Sequence, residues 1–449
     1  MLRVLLIAEA ANPEWVSVPL IGWSLSRAIA AQTSAHLVTQ VRNRDAILRA
    51  GLQEGRDFTA IDSERLAAPL YRISNALRGG RGVGWTTLAA LAPFSYYYFE
   101  LLVWRRFGPA ILRGEFDVVH RITPLSPTIP SILARRCARA STPFVLGPLN
   151  GGVRWPREFD SARRKEREWL SYVRAIYKLL PGYRSTLKGS AAILTGSLST
   201  SSDIPNKFRG KCIYLPENAV DPTRFSSTAA PSSDPLRACF VGRLVPYKGP
   251  DILLEAVAPL VAGKQLHLDI IGDGPLMSDL RQFVERRQLG SGVTFHGWVA
   301  QDNLQSLMRR SQLFLFPSIR EFGGGAVLEA MALGLVPVVV DYAGPGELVT
   351  DTVGFKIPLG SRAMIIDQLG KMVSLLCKEP DRLRDKAHAA RTWVHDSFTW
   401  SVKARQVLDV YDWVTGRKSQ KPRFFEEFPT RRIPEHSENS VTPSSSTEP

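Results

Sequence analysis

The chain has 449 residues, of which 44% are hydrophobic and 22% are charged, a size and composition typical of a soluble globular protein with two domains. Its net charge of +15 predicts an anionic partner, such as a charged ligand, an anionic membrane surface or nucleic acid. The sequence contains no zinc-finger spacing and no RNP sequence, which argues against nucleic acid.

The cysteines and the longest apolar stretch indicate where in the cell the protein is expected. The four cysteines are far apart and lack metal-ligand spacing, so they are expected to be reduced thiols of a cytosolic protein. The apolar stretch 88–104 contains Pro93 and Glu100 and falls short of the ~20 residues that a membrane-spanning helix needs. It is interpreted as a packed helix of the first domain or as a segment that dips into a membrane.

The first half alternates apolar segments with helical ones, the pattern of a parallel α/β domain. Strands are predicted at 2–8, 35–40, 57–61, 117–122, 143–147 and 191–195. Gly22 precedes a predicted helix at 23–30, His120 lies near the end of its strand, and Asn150 follows another strand. Ligands of open α/β sheets bind beyond the carboxyl ends of the strands, so all three are candidate site residues. The alternatives are a turn glycine, a structural histidine and a plain turn.

A basic segment at 154–188 carries ten Lys or Arg against four Asp or Glu, with aromatic residues between them. Such a segment is typical of a helix that lies on a membrane surface. The alternative is a solvated helix whose aromatic face packs on the domain. Farther along, the polar, proline-containing stretch 226–235 predicts a linker, and the polar stretch 417–449 predicts a disordered tail.

The second half begins with a predicted strand at 237–244 and the sequence GRLVPYKG. Gly242 and Arg243 are followed by Lys248 just before a predicted helix. An arginine fork and a lysine point charge are suited to a diphosphate, and a helix N-terminus adds positive potential. The alternative is a pair of surface cations at a strand end.

The stretch 317–348 carries two acids around a glycine loop. Glu321 precedes Gly323, Gly324 and Gly325, and Glu329 follows Glu321 by eight residues, about two helical turns. Glycines let a backbone approach a ligand, and carboxylates accept hydrogen bonds from hydroxyl-rich ligands. The alternative is a helix-start charge and a solvated or salt-bridged glutamate.

Several of these motifs together resemble a known family. Glu321 and Glu329, followed by AMALG and an apolar PVVV strand, resemble the signature of retaining glycosyltransferases of family 4, which have the GT-B fold. The Arg243 to Lys248 spacing, the Gly272-Asp273-Gly274-Pro275 turn and the PENAVD stretch before the linker also resemble that family. Val299 lies where family members hold the base of the nucleotide.

The resemblance implies an α/β GT-B protein with two Rossmann-like domains that face each other across a cleft. The first, 1–225, would lie on the acceptor side and include Gly22 and Asn150. The second, 236–397, would bind a nucleotide sugar, and a helix at 398–416 would cross back to the first.

The implied reaction is the transfer of a sugar from a nucleotide sugar to a polysaccharide or lipid-linked acceptor, with retention of configuration. Arg243 and Lys248 would stabilise the departing diphosphate, and Glu321 would position the sugar. Glu329 would bind the ribose, and His120 would contact the sugar from the first domain. Gly242, Gly272, Val299 and the glycine loop would complete the donor site.

The resemblance and the composition also carry expectations about partners and location. The chain contains no Asp-x-Asp pair, so no metal and no cofactor are expected. The protein is expected in the cytoplasm, with a peripheral position on the inner face of the membrane as an alternative. The alternatives are a sugar-nucleotide epimerase or phosphorylase of the same fold, or a nucleotide-sugar-binding or membrane-scaffold protein without turnover.

Overall fold

The computed structural model describes residues 1–65, 85–151, 153, 155–159, 178, 180–225, 228–229 and 234–425. Most of the predicted basic segment, part of the predicted linker and residues 426–449 therefore lie outside the described residues. Within the described part, two parallel sheets are flanked by helices. No helix there is long and apolar enough to cross a membrane.

The first sheet has seven parallel strands in the order β3-β2-β1-β4-β5-β6-β7. The strands are β1 (Arg3–Ala8), β2 (Ser34–Gln40), β3 (Phe58–Ile61), β4 (Val118–Thr123), β5 (Phe144–Leu149), β6 (Ala192–Thr195) and β7 (Cys212–Tyr214). β4 and β5 are buried along their whole length because helices cover both faces of the sheet. The strand order reverses between β1 and β4, where the sheet leaves a crevice for ligands.

Helices of the first unit lie in two layers. They are α1 (Val18–Ala30), α2 (Arg44–Arg49), α3 (Trp85–Leu112), α4 (Ile132–Arg139), α5 (Tyr183–Gly189), α6 (Leu198–Asp203) and α7 (Asn206–Arg209). One layer contains α3, α4 and α5, whose apolar side chains pack together on one face of the sheet. The apolar stretch 88–104 lies within α3, where Phe99 and Val103 are buried and Glu100 binds the N-terminus of α4. In the described residues this stretch is therefore a packed helix.

The second sheet has six parallel strands in the order β10-β9-β8-β11-β12-β13. They are β8 (Leu236–Val241), β9 (Leu266–Ile271), β10 (Val293–Gly297), β11 (Leu313–Phe316), β12 (Val336–Val340) and β13 (Phe355–Ile357). The helices are α8 (Pro250–Ala262), α9 (Met277–Arg286), α10 (Gln301–Met308), α11 (Gly325–Ala332), α12 (Ala343–Leu348), α13 (Arg362–Lys378), α14 (Arg382–Ser397) and α15 (Trp400–Val414).

The chain passes between the two units twice, and the two crossings touch. The backbone N–H of Val220 donates to the carbonyl oxygen of Phe398 at 2.8 Å. After Phe398, α15 returns to the first unit and packs beside α1 on the face opposite α3, α4 and α5. The described start of the predicted disordered tail also packs on the protein, because the ring of Phe425 stacks on Phe398 with 5.4 Å between centroids.

Candidate functional site

The loops that carry the two charged motifs leave neighbouring strands. The loop 242–249 follows β8, and the loop 317–324 follows β11, which pairs directly with β8. The order of the second sheet reverses between these two strands. In an open parallel sheet this is where the loops diverge and leave room for a ligand. The fold therefore places both motifs at the same switch point.

A lysine and a glutamate join the two loops. Nζ of Lys248 donates to Oε2 of Glu321 at 2.6 Å, and both side chains are about one-fifth exposed. The same ammonium lies 5.3 Å from the ring centroid of Phe316 at the end of β11. Arg243 is exposed, and within the described residues no ion pair or hydrogen bond of its side chain is found. Two cations and one carboxylate therefore lie beyond the strand ends, open to a polar ligand.

Glycines allow these loops to pack backbone against backbone. Gly249 has a φ of +69°, and a Cβ there would lie 2.6 Å from the carbonyl oxygen of Pro317. A Cβ on Gly272 would lie 1.9 Å from the carbonyl oxygen of Gly242. A side chain at Gly249 or Gly272 would push the loops apart. The sequence predicted Gly242 and Gly272 as donor contacts, and their observed contact is with each other.

The glycine loop before α11 has three different environments. Gly323 is buried against the side chain of Glu217, whose Oε1 would lie 1.9 Å from a Cβ at that position. Gly324 is the N-cap of α11, with a φ of +58°. Gly325 is the first residue of α11 and is partly exposed. The N-terminus of α11 is therefore partly exposed at Gly325.

Glu329 lies one turn farther along α11 and is partly buried. Burial raises the pKa of its carboxyl to about 7, while Gln301 and the positive charge of Arg224 oppose the shift. Nε2 of Gln301 lies 3.5 Å from Oε1 of Glu329. Gln301 begins α10 just after Val299, which is partly buried, and Trp298, which is 75% exposed. The sequence motifs point to Glu329 and Val299, but they carry no signal for Gln301 or Arg224.

His120 is a core residue of the first unit in this structure. It is 0% exposed, and its Nε2 lies 2.6 Å from the carbonyl oxygen of Gly147. Since a carbonyl only accepts, Nε2 carries the proton and Nδ1 accepts from the hydroxyl of Tyr411 on α15, also at 2.6 Å. Burial lowers the pKa of the imidazole to about 4, so it is neutral at pH 7. Both ring nitrogens are used inside the protein, and the contact of His120 with a sugar stays a prediction.

Gly22 and Asn150 also lie inside the protein. α1 begins at Val18, so Gly22 is within the helix and not before it, and a Cβ there would lie 2.1 Å from the carbonyl oxygen of Ala10. Asn150 is 7% exposed, and its Nδ2 donates to Oε1 of Glu217 at 2.6 Å. Neither residue forms an open acceptor surface, because each is used in packing between elements.

A contact across the cleft escaped the sequence analysis. Trp155 of the first unit packs edge to face against Tyr247, which lies in the loop after β8. The guanidinium of Arg320 lies 5.1 Å from the ring of Trp155 and 5.5 Å from that of Phe322. Arg320 Nε also donates to the carbonyl oxygen of Val153 at 3.3 Å. The loop after β5 is thereby joined to the residue that precedes Glu321.

Among the described residues, no group of three His, Cys, Asp or Glu is placed to hold a metal ion. The charges that the described site offers to an anion are those of Arg243 and Lys248, together with the N-terminus of α11.

Comparison with known proteins relates these features to a family. Residues 223–401 match the family described as Glycosyl transferases group 1. A 2-deoxystreptamine glucosyltransferase of Streptomyces kanamyceticus is 32% identical over 181 residues, 40% of this chain and 46% of that protein. A putative colanic acid biosynthesis glycosyltransferase, WcaL, of Salmonella typhimurium is 27% identical over 307 residues, 62% of this chain and 73% of that protein. The chain thus covers less than half of the first relative and most of the second.

Solved structures match over nearly the whole chain. A glycosyltransferase of Rickettsia africae superposes with a TM-score of 0.62 at 14% identity, over 93% of this chain and 99% of that one. Anabaena HepE, in complex with UDP and glucose, superposes with a TM-score of 0.56 at 15% identity, over 91% and 99%. At this identity the likeness concerns the fold, and it confirms the predicted GT-B architecture. Residues 223–401 are therefore similar to the glycosyl transferases group 1 family, in a chain with the GT-B fold.

Proposed function

We propose that the protein is a glycosyltransferase that moves a sugar from a nucleotide sugar to an acceptor in the cleft between its two units. The observation that carries the proposal is the ion pair of Lys248 with Glu321 at the switch point of the second sheet. The names of the relatives support it, since the proteins of Streptomyces and Salmonella are named as glycosyltransferases and the Anabaena protein binds UDP and glucose.

The charges suggest how the donor is held. Arg243 and Lys248 would bind the diphosphate, which gains negative charge as the bond to the sugar breaks. Lys248 would then exchange its contact with Glu321 for a phosphate oxygen. Glu321 would become free to accept hydrogen bonds from sugar hydroxyls, and Glu329 would accept from the ribose hydroxyls. Gln301, at 3.5 Å from Glu329, would orient that carboxylate.

These contacts and the resemblance to retaining enzymes support the following transfer step. The bond between the anomeric carbon and the diphosphate oxygen breaks, and a bond from an acceptor hydroxyl to the same carbon forms on the same face. The proton of the acceptor hydroxyl passes to the departing phosphate. No side chain of the described site needs to act as the nucleophile, and the two cations supply the charge stabilisation that a metal supplies in other transferases.

We further propose that the acceptor side works at an anionic membrane surface. Helices α3, α4 and α5 form one layer of the first unit, and Glu100 is their only acid and is buried. Within the described residues, six exposed cations of this layer make no ion pair: Arg105, Arg106, Arg135, Arg139, Arg184 and Lys188. Each basic residue near an anionic bilayer contributes about 1 kcal/mol of attraction.

The opposite face of the first sheet differs from the layer of α3, α4 and α5, because it carries acids that pair with positive charges. There Arg44 pairs with Glu54 at 2.6 Å and Arg49 with Glu14 at 2.8 Å, so positive charges are balanced by acids. On the cationic layer, the ring of Phe94 is 56% exposed and supplies apolar surface beside the charges. A lipid-linked acceptor presented by such a surface fits this arrangement, as does the location on the inner face of a membrane.

Flotation with vesicles tests the membrane proposal. The protein should float with phosphatidylglycerol-containing vesicles and not with pure phosphatidylcholine, and the double variant Arg135→Glu/Arg139→Glu should float much less. The matched control is Arg309→Glu/Arg310→Glu, which reverses two exposed charges on the second unit and should float like the parent. Equal loss in both variants would mean that only net charge matters and would contradict a docking layer.

Thermal unfolding with UDP-, GDP- and ADP-sugars, with and without EDTA, tests the donor site. A ligand at ~100 times its Kd adds ~2.7 kcal/mol to the free energy of unfolding. One nucleotide class should stabilise the protein without any effect of EDTA, and release of free nucleotide should follow when an acceptor is added. Stabilisation without turnover on any acceptor would favour a binding protein, and no stabilisation by any donor would contradict the donor site.

A further inference from the structure

Glu217 lies at the junction of the two units, in the PENAVD stretch just after β7. It is 4% exposed, and its carboxylate lies among segments that are far apart in sequence. Oε1 accepts from Nδ2 of Asn150, which follows β5, at 2.6 Å. No step of the transfer proposed above uses this buried acid, and the sequence analysis did not single it out.

Two glycines make room for the Glu217 carboxylate. A Cβ on Gly323, in the glycine loop of the second unit, would lie 1.9 Å from Oε1 of Glu217 and 2.2 Å from Nδ2 of Asn218. A Cβ on Gly196, which follows β6 in the first unit, would lie 2.2 Å from Oε2. The carboxylate is therefore in contact with one backbone from each unit, and any side chain at Gly323 would displace it.

The position of Gly323 gives this contact its consequence. Gly323 is two residues after Glu321 and two residues before the start of α11, which carries Glu329. A loop supported at Gly323 holds the two acids in fixed relation to the first unit. A displacement of about 1 Å in a positioning element is enough to slow a reaction by about 100-fold.

Charged groups from two other elements face the same junction. Lys403 of α15 is 2% exposed, its Nζ makes no hydrogen bond within the described residues, and burial lowers its pKa to about 7. Glu347 of α12 accepts from the N–H of Leu198 at 2.9 Å and from the hydroxyl of Tyr214 at 3.2 Å. Burial raises the pKa of Glu217 to about 7, and the charge of Lys403 opposes that shift.

We propose that Glu217 is a positioning residue of the transfer reaction: held by Asn150, its side chain supports Gly323 and so keeps Glu321 in place at the donor side of the cleft. This role rests on the proposed glycosyltransferase function. Glu217 acts through Gly323 and touches neither donor nor acceptor. Its loss therefore affects the arrangement of the donor loop and leaves the groups that would bind the diphosphate, Arg243 and Lys248, in place.

Variants at Glu217 test whether the length of its side chain, which sets the contact with Gly323, matters for the reaction. Glu217→Gln keeps the length and one acceptor oxygen for Asn150, so kcat should stay within about threefold of the parent, whereas Glu217→Asp withdraws the carboxyl from Gly323 and should lower kcat about 10-fold or more. The KM for the donor should change little in both. Gly323→Ala should be nearly inactive, and combining it with Glu217→Asp, which makes room for the methyl group, should restore part of kcat.

Hydrogen exchange provides a readout that does not depend on turnover. In Glu217→Asp, peptides covering 317–328 should exchange faster than in the parent, while peptides of α13 should not change. Unchanged exchange at 317–328, or a parental kcat in Glu217→Asp, would overturn the positioning role. A parent protein that binds no nucleotide sugar but shows the expected exchange difference would contradict the proposed reaction and leave the structural contact confirmed, so the two failures are distinguishable.

Discussion

The two sides of the cleft use their polar residues in opposite ways. On the second unit, Lys248 and Glu321 are partly exposed and pair with each other across two loops. On the first unit, His120 and Asn150 are buried and form hydrogen bonds with neighbouring elements. The predicted residues of the first unit hold the scaffold and the junction together, whereas those of the second unit lie open to a polar ligand, as the proposed donor site requires.

Of the changes that this comparison suggests, the loss of Glu321 should have the largest effect on the transfer rate. Glu321→Ala should lower the transfer rate by about 10²–10³-fold, because a charge that acts on the reacting sugar cannot be replaced by water. The fold should be retained, since the side chain is partly exposed. Initial rates and thermal unfolding measure both effects. The control is Glu379→Ala, which removes an exposed partner of Arg382 and should keep the parental rate; equal rates for both variants would contradict the assignment.

A second, smaller effect concerns pH and the donor. Burial raises the pKa of Glu329 to about 7, and its ionised form would accept hydrogen bonds from ribose hydroxyls more strongly than the protonated form. Nucleotide affinity should therefore increase, by up to about 10-fold, from pH 6 to pH 8 as the fraction of ionised Glu329 rises. Binding should release protons near pH 7, which calorimetry in buffers of different ionisation enthalpy detects.

The matched control for this pH dependence is Glu329→Gln, which cannot ionise. It should bind nucleotide with nearly the same affinity at both pH values. If the variant keeps the pH dependence of the parent, another group is responsible. The raised pKa of Glu329 also makes the stability of the fold depend on pH. Since the folded-state pKa lies above the ordinary 4.5, the contribution of Glu329 to the free energy of unfolding falls as pH rises from about 4.5 to 7.

The second side was predictable because its signals are local and repeated. β11 is a short apolar run, and Glu321 and Glu329 lie eight residues apart around glycines. Lys248 and Glu321 are 73 residues apart, but the rule that ligands bind at the ends of adjacent parallel strands brings their loops together. The motif could therefore be identified together with its environment, although the ion pair itself could not.

The first side was less predictable because its contacts are distant. The partner of His120 is Tyr411, 291 residues later, on a helix that returns from the other unit. Asn150 meets Glu217 67 residues later. A single histidine at a strand end does not reveal whether its ring faces a cleft or a returning helix. Only the placement of α15 over the first sheet decides this question.

Removing the Tyr411 hydroxyl tests the structural role of His120. Tyr411→Phe leaves Nδ1 of a buried imidazole without its donor and should lower the free energy of unfolding by about 1–3 kcal/mol. The transfer rate at a temperature where the variant is folded should stay at the parental value. Denaturant unfolding and initial rates distinguish the outcomes. A slower transfer at unchanged stability would place His120 in the reaction, and both sides of the cleft would then contribute reactive residues.

The smallest effect is expected where the two sides meet. Arg320 stacks on Trp155 of the first unit and on Phe322, and a cation–π contact at a partly exposed site is worth about 0.5–1 kcal/mol. Arg320→Lys keeps the charge but loses the flat guanidinium, so kcat/KM should fall about threefold, while the affinity for free nucleotide should not change. Arg309→Lys, on an exposed site of the second unit, is the control for a generic change. If Arg320→Lys weakens nucleotide binding instead, Arg320 belongs to the donor site and does not act by holding the two sides together.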